Sequence, residues 1–582
     1  MLTRPDMERL EKKRINGHTY YYYSQWAWVG GRCRRLWQKY LGKPQDILYA
    51  VEGSGPTPTY AEVFHFGLSE TLANECRRAQ IIDKVDAHCP KRQQGMSVGT
   101  YLAIAALNRA IAPLSKSAIF QWLATTTLRR HFPSTSKTTL ASQRFWDHME
   151  RLDCDMTRMI WKDIIGDVIA REALTLDAVC YDGTNFYTFI DTFNARCDIA
   201  KRGKNKQGRS NLRQVNYALF CHADSQVPLY YALYDGNRHD SKQFPQMIAN
   251  FHAFLRDAFG ATPQSPQLTL IFDKGNNSKE NFGLIDTLKL HYVGSMKLSE
   301  VKDLATISNQ DARWMPCQTL GLETTKCFRV TQTVYGKSRT LIVTYNANLF
   351  QTQYLTLQKD ITKAMTELGT LRQRLQDRAR GLITGGQCPT VNSLTKQCQS
   401  ILSRPYMKQI IRYTVEKDNR DIPQLEYDID HDVIKQLSDT YLGKNLIITD
   451  REQWGNDQTI LAYRSQFHIE NVFKEMKDRD IGSWWPLYHW TDQKINVHSF
   501  YCTIAVLLRA LAHRRVKQAG IDISMKRLLA ELDEIKEVIV LYPKKRGAKT
   551  SPQHTVLSKT SELQQSLLSI LDVKPEEIAS LG

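Results

Sequence analysis

The spacing of hydrophobic and polar positions changes character several times along this chain. Near the start, HTYYYYSQWAWV and CRRLWQKYLG flank Gly30-Gly31 and are dense in aromatic residues, which predicts a β-hairpin. From about residue 60 the period becomes helical. VGTYLAIAALNRAIAPLSKSAIFQWLATTTLRRHF predicts two helices broken at Pro113, with Ser115 as a cap for the second, and TTLASQRFWDHMERLD and MTRMIWKDIIGDVIARE predict two more. At residue 175 three strand-like runs follow one another: LDAVCYDGTNFYTFI, QVNYALFCHAD and VPLYYALYDG. The amphipathic DSKQFPQMIANFHAFLRDAF comes next, then the apolar run QLTLIF leading into DKGNNS, a short helix KENFGLIDTLK and a strand HYVGSM. Three antiparallel strands, a helix, then parallel strands alternating with helices is the element order of an RNase H-like core.

Residues 300–445 read as mixed, with β-like runs (TLIVTYNA, QLEYDID), a charged helix (TQYLTLQKDITKAMTELGTLRQRLQDRA) and a Gly/Cys loop near 381–398. The strand KNLIITD then precedes the helix YRSQFHIENVFKEMKD, and the last hundred residues read as helical. The expected class is α/β: an RNase H-like core interrupted by a β-rich insertion, a mainly helical N-terminal region and a helical C-terminus. The expected segments are a basic hairpin region (1–60), a helical region (61–174), the first part of the core (175–299), the insertion (300–445), the second part of the core (446–480) and the C-terminal region (481–582).

With 582 residues the chain is too long for one core and predicts roughly three to four domains. Lys and Arg number 78 against 60 Asp and Glu, a formal charge of +18, and ten of those bases lie in the first fifty residues. Such an excess favours a polyanionic partner, nucleic acid or an anionic membrane. Twelve cysteines are scattered without a C-x-x-C pair, which argues against a zinc ribbon or a disulfide scaffold. The N-terminus has no apolar run behind its charges. The apolar stretch FYCTIAVLLRALA is broken by Arg509 and is expected to be too short to span a bilayer. A protein with no membrane partner is the expectation.

Within this frame three carboxylates stand in suggestive places. Asp182 lies inside the first core strand, where a charge is costly without a partner or metal. Asp273 ends the apolar run LTLIF, and strand ends are where α/β sheets place functional residues. Ser278 is better placed than Asp273 to cap the helix that follows. Neighbouring first and fourth strands would bring Asp182 and Asp273 together, with Glu470 approaching from a later helix. Three hard oxygen donors suit Mg²⁺, with Mn²⁺ able to substitute. A pair of such ions would activate a water or 3′-hydroxyl and stabilise the leaving oxygen of a phosphodiester. Along the Glu470 helix, Tyr463, Gln466, Glu470 and Lys477 fall within roughly 60° of arc. That stripe reads either as a solvated face or as a site.

YDGTN on the first strand, an Asp ending the fourth, and Tyr463-x₂-Gln466-x₃-Glu470-x₆-Lys477 together resemble a large group of bacterial insertion-sequence transposases. These are DDE enzymes with a Y-x₂-R-x₃-E-x₆-K signature and a β-rich insertion in an RNase H-like core. The resemblance covers roughly 175 to 510, and the 197 residues between Asp273 and Glu470 fit such an insertion. ALNRAIAPLSK also looks like the segment that precedes the core in this group. Gln466 departs from the signature by standing at the arginine position. The resemblance implies metal-dependent cut-and-paste transposition, with Asp182, Asp273 and Glu470 holding two Mg²⁺ and Tyr463, Gln466 and Lys477 at the DNA end. It also implies end recognition by the N-terminal region, a homodimer in the synaptic complex, double-stranded element ends and target DNA as partners, and a cytoplasmic, nucleoid-associated bacterial protein. An excision hairpin is implied by the group alone.

KRGKNKQGRSNLRQ, between the first and second core strands, carries Lys201, Arg202, Lys204, Lys206, Arg209 and Arg213 without an acid. It reads either as a solvated hairpin tip or as a flexible basic loop tracking a phosphate backbone. Asp191, Asp235 and Asp240 read as turn and cap residues, and His222, His239, His468 and His498 as structural. SWWPLYHW reads as core beneath the catalytic helix or as a stacking surface for a base. Two rival functions remain: a metal-dependent nuclease with the same core, and a catalytically degenerate protein that binds element ends without cutting.

Overall fold

The computed structural model describes residues 7–29, 32–51, 57–259, 268–418, 422–544 and 551–574. It divides into two compact units, one made of Met1–Glu75, Ser117–Ala141 and Arg515–Gly582, the other of Cys76–Lys116 and Ser142–Arg514.

The first unit holds two small antiparallel sheets. One joins Met7–Ile15, His18–Val29 and Arg32–Gly42, the middle strand pairing with both others. The predicted aromatic strands therefore pair, although their Gly30-Gly31 turn lies outside the described residues, and a third strand joins them. The other sheet sets Lys536–Leu541 between Tyr60–His65 and Gln553–Leu557. The expectation of helix from residue 60, and of a wholly helical C-terminus, is corrected here. YAEVFH and KEVIVL are short β-rich runs whose pairing partners lie more than 450 residues apart, which local periodicity cannot register.

In the second unit, Val98–Ile111 (α1) and Cys154–Arg171 (α2) form as their apolar periodicity predicts, capped by Ser97 and Asp153 side chains. α1 ends two residues before Pro113. Ten strands then build one mixed sheet: Ala178–Thr188 (β1), Lys201–Arg202 (β2), Arg213–His222 (β3), Pro228–Asp235 (β4), Thr269–Phe272 (β5), His291–Met296 (β6), Met315–Pro316 (β7), Thr325–Val334 (β8), Lys337–Asn346 (β9) and Lys444–Thr449 (β10). Their order is β7-β8-β9-β10-β6-β5-β1-β3-β2, with β4 on β3. β1, β3 and β4 pair antiparallel, while β5 runs parallel to β1 and β6 parallel to β5, as the element order predicts. Asp240–Phe259 (α3) and Lys279–Thr287 (α4) connect them.

The insertion differs from expectation. β8 and β9 join the large sheet through β10, with Leu341 opposite Ile448, so this part of 300–445 extends the core sheet. Leu341, Ile342 and Val343 are all fully buried, the mark of a strand covered on both faces. Beyond it the insertion is mainly helical: Ala347–Ala379 (α5), Val391–Ile401 and His431–Thr440 pack around Leu357, Leu368, Leu394, Met407 and Leu425, with one hairpin, Ile411–Lys417 against Pro423–Ile429.

After β10 come Asn456–Arg464 (α6), Gln466–Lys477 (α7) and Asp492–Gln518 (α8). α8 is long and apolar enough to cross a membrane, contrary to expectation, yet 89% of its apolar window is buried inside the protein. Its Arg509 is buried and donates to the Ala110 carbonyl at 2.8 Å, which fixes α8 against α1 as a core helix.

Candidate active site

β1 is longer than its parallel partner. β5 pairs with Ala178–Cys180, Cys180 standing level with Ile271, and then ends at Phe272. Two residues beyond that pair on each strand lie Asp182 and Asp273, so the register carries both carboxylates to the opening where β5 leaves the sheet. The side chain of Asp273 is not used as a cap: it precedes a 3₁₀ turn without a side-chain capping bond, and Ser278 caps α4 by accepting from the Asn281 N–H at 3.1 Å. Ser295 Oγ on β6 donates to Asp273 Oδ1 at 3.1 Å and holds it at the strand end.

Asp182 accepts from the Gly183 N–H at 2.7 Å. Burial pushes its carboxyl up to about 6, with the Asp240 and Asp273 charges adding and Lys206 and the Gly183 N–H opposing. Asp240, a turn and cap residue by sequence, does open α3, but it also belongs to this neighbourhood. Tyr234 donates to it at 2.7 Å, and Lys206 Nζ stands 3.4 Å from it while donating to the Gly183 carbonyl at 2.6 Å. A Cβ on Gly183 would lie 3.0 Å from the Tyr234 hydroxyl, so this close approach favours glycine.

The helix predicted over 463–478 is two helices. At Ser465 the chain tightens, the Ser465 N–H donating to Leu461 and Ala462 carbonyls and its hydroxyl to Ala462 O at 2.7 Å. Two members of the stripe nevertheless reach β1. Gln466 is buried and donates to the Tyr181 carbonyl at 3.0 Å, and Lys477 donates to the Thr184 hydroxyl, with its ammonium 5.6 Å from the Phe186 ring centroid. α7 thus lies along Tyr181–Phe186, with Glu470 one turn beyond Gln466. Tyr463 is half-buried, and burial raises its phenol, with the charges of Asp273 and Glu470 adding and Ser295 opposing. Burial holds Lys477 down to about 8, Lys206 adding and Asp182 opposing.

Asp182 and Asp273 are therefore neighbours, and Tyr463 senses Asp273 and Glu470 together. Glu470 itself is exposed, with no hydrogen-bond or ion-pair partner among the described residues. The three carboxylates do not close into one tight cage: the described group whose ligand atoms all lie within 4.8 Å of one another is Cys317, Cys327 and Asp457.

The basic segment is less flexible than expected. Lys201 and Arg202 form β2 against β3, with Lys201 3.2 Å from Asp235 and Arg202 donating to Thr192 at 3.0 Å. Arg213 turns inward and donates to the Ala200, Asp191, Asn194 and Cys197 carbonyls, bracing the segment. Lys204 and Arg209 stay on the surface, Arg209 at 6.0 Å from the Tyr187 ring. Trp484 and Trp485 of SWWPLYHW are core: Trp484 stacks on Phe186 at 3.9 Å, while Tyr488 and Trp490 are exposed. His498 is likewise structural, bonding Tyr501 OH at 2.6 Å and Trp484 O at 2.8 Å.

Sequence reasoning missed Thr184, Asp240 and Ser295. Thr184 had a signal: two residues after Asp182, it shares a strand face with it.

Residues 175–363, about a third of the chain, match the family model described as the transposase DDE domain. The match supports a DDE transposase family for that stretch; it includes Asp182 and Asp273 and ends before Tyr463, Gln466, Glu470 and Lys477. No curated protein matches the chain. Among solved structures, the piggyBac transposase synaptic complex with hairpin DNA, determined by cryo-electron microscopy, is similar at 9% identity and a TM-score of 0.36, covering 82% of each chain. At that level the likeness bears on neither the fold nor the function of this protein.

Proposed function

We propose that this protein is the DDE transposase of a bacterial insertion sequence, acting by cut-and-paste transposition from an RNase H-like core. The observation that carries the reading is that Asp182 and Asp273 come together just past the last β1–β5 pair, close enough for their charges to interact, with the Glu470 helix braced on β1 by Gln466 and Lys477. The strand order β4-β3-β1-β5-β6 supports the RNase H-like assignment.

The donor set fits divalent cations. All three groups offer hard oxygens, and the clustered charges around Asp182 repel one another in a way that a cation relieves. In this reading Asp182, Asp273 and Glu470 hold two Mg²⁺, which when bound supply Lewis acidity to the scissile phosphate. The chain's own residues do the rest. Ser295 fixes the direction of Asp273, Lys477 offers a charged donor to a phosphate oxygen, and Tyr463 contacts the DNA end through its phenol. Gln466 anchors α7 to the backbone beside Asp182. Lys201, Arg202, Lys204, Lys206 and Arg209 give the flanking surface its positive charge, with Arg213 holding their segment in shape. The N-terminal region recognises the element ends, two copies pair them, and the protein works at the nucleoid of a bacterial cytoplasm.

Strand transfer separates this reading from a simple nuclease. Precleaved end DNA carrying a 3′-hydroxyl, incubated with protein, Mg²⁺ and a supercoiled plasmid, should be joined to the plasmid, and a 3′-dideoxy end should not. Plasmid nicking without joining would favour the nuclease; end binding with neither would favour the degenerate protein.

A further inference from the structure

Away from the carboxylates, the β7–β8 edge and the first turn of α6 bring Cys317, Cys327 and Asp457 together. One ligand atom of each lies within 4.8 Å of the other two, and the two sulfurs are 3.7 Å apart. The strand register explains the meeting. Met315 pairs with Cys327, and the Cys317 N–H donates to Thr325 O at 3.0 Å, so the two cysteines leave the same face of the ribbon as diagonal neighbours. Both are buried. Asp457 Oδ2 is aimed at them by the backbone N–H groups of Gln318 and Thr319, at 2.8 and 2.9 Å.

We propose that Cys317, Cys327 and Asp457 form a zinc site that anchors the helix leading to the active site. Two thiolates on a tetrahedral zinc, with Zn–S of ~2.3 Å, stand about 3.8 Å apart, the spacing found here. A disulfide would need about 2.05 Å. A pair of soft thiolates selects Zn²⁺ and rejects Mg²⁺, so this site is chemically distinct from the carboxylate centre. On binding, each thiol releases its proton to solvent, and the two thiolates and the carboxylate coordinate the ion. A water would complete the tetrahedron, while the Asn456 side chain donates to the Cys327 sulfur. The charge of −1 left on this ligand set is offset by the two N–H groups on Asp457.

The consequence is mechanical. The other end of α6 is already tied to the same ribbon, Arg464 donating to Gly321 O at 2.7 Å and to Thr325 Oγ1 at 2.8 Å. Zinc at the N-terminal end would pin α6 at both ends. α6 carries Tyr463 and passes through Ser465 into α7, so the bound zinc would brace the chain that leads to Tyr463 and Glu470.

The test uses the full chain, expressed with zinc and purified under reductant without chelator, with metal content read by mass spectrometry. About one zinc per chain is expected, falling below ~0.1 in Cys317→Ser/Cys327→Ser, and cobalt exchange should give a thiolate-to-cobalt charge-transfer band. Asp457→Asn should hold zinc at least ~10-fold more weakly. Should the double variant not fold, the wild-type protein decides: a chelator should lower its Tm, and Zn²⁺ but not Mg²⁺ should restore it. Wild type that neither retains zinc nor gives the cobalt band overturns the proposal. So does zinc content unchanged in a folded double variant, or a Cys317–Cys327 disulfide that forms equally with zinc present. None of these readouts requires transposition, so the zinc site and the transposase reading fail independently.

Discussion

Gln466 donates its side-chain amide to the carbonyl oxygen of Tyr181, the residue immediately before Asp182, at 3.0 Å. The bond ties the Glu470 helix to the strand that carries the first carboxylate, and Gln466 Oε1 is buried without a partner among the described residues. A donor is what the position needs, so Gln466→Arg should keep cleavage within about threefold of wild type. Gln466→Glu sets acceptor against acceptor and should cost about 1–3 kcal/mol of stability, with a matching fall in cleavage. Thermal melts alongside cleavage rates check both; a Gln466→Glu protein as stable and active as wild type would remove this bond from the account.

Lys477 is held over β1 with its charge partly desolvated. Lys477→Ala should weaken binding to end DNA uniformly across sequences and lower the slope of log K against log salt by about one. Lys204→Ala, on the exposed basic segment, should lower the slope in the same way. Arg213→Ala should instead lower Tm, because its guanidinium braces backbone carbonyls. Salt titrations of binding, paired with melts, separate the two behaviours.

Asp240 shares the Asp182 neighbourhood through Lys206 and Tyr234 and is not one of the three carboxylates assigned to the metals. Asp240→Asn should reduce cleavage by about tenfold or less, whereas Asp273→Asn should reduce it to background. Equal loss in both variants, with folding intact, would promote Asp240 to a ligand.

Glu475 on α7 is pushed up to about 7 by burial, with Arg509 opposing. Its folded carboxyl therefore binds a proton more tightly than the unfolded one, whose ordinary value is 4.5. The ionised form disfavours folding, so this group's stability contribution falls as pH rises from about 4.5 to about 7. Glu475→Gln should raise Tm by about 2 °C at pH 8 and leave it unchanged at pH 4. A stabilisation that is the same at both pH values would contradict the buried ionisable carboxyl.

Much of the core was legible because its signals are local. Apolar runs ending in Asp, a Ser cap three residues before the backbone N–H that donates to it, and the spacing from Tyr463 to Lys477 all lie within short windows. What escaped depends on distant pairing. Tyr60–His65 is a strand because Lys536–Leu541 lies beside it, and β9 belongs to the core sheet because β10 returns after a hundred residues of insertion. Cys317 and Cys327 show no metal-ligand spacing in sequence; the β-ribbon and Asp457, 130 residues later, create the cluster. The break at Ser465 is a single residue inside an unbroken apolar period, too small for periodicity to register.

Excision tests the central claim most directly. DNA carrying both flanks of the coding sequence would be incubated with purified protein and Mg²⁺, with Asp182→Asn alongside. The account predicts double-strand breaks at both element ends with wild type, and end binding without breaks in the variant. Normal cutting by Asp182→Asn, or end binding without any cutting by the wild-type protein, would contradict it.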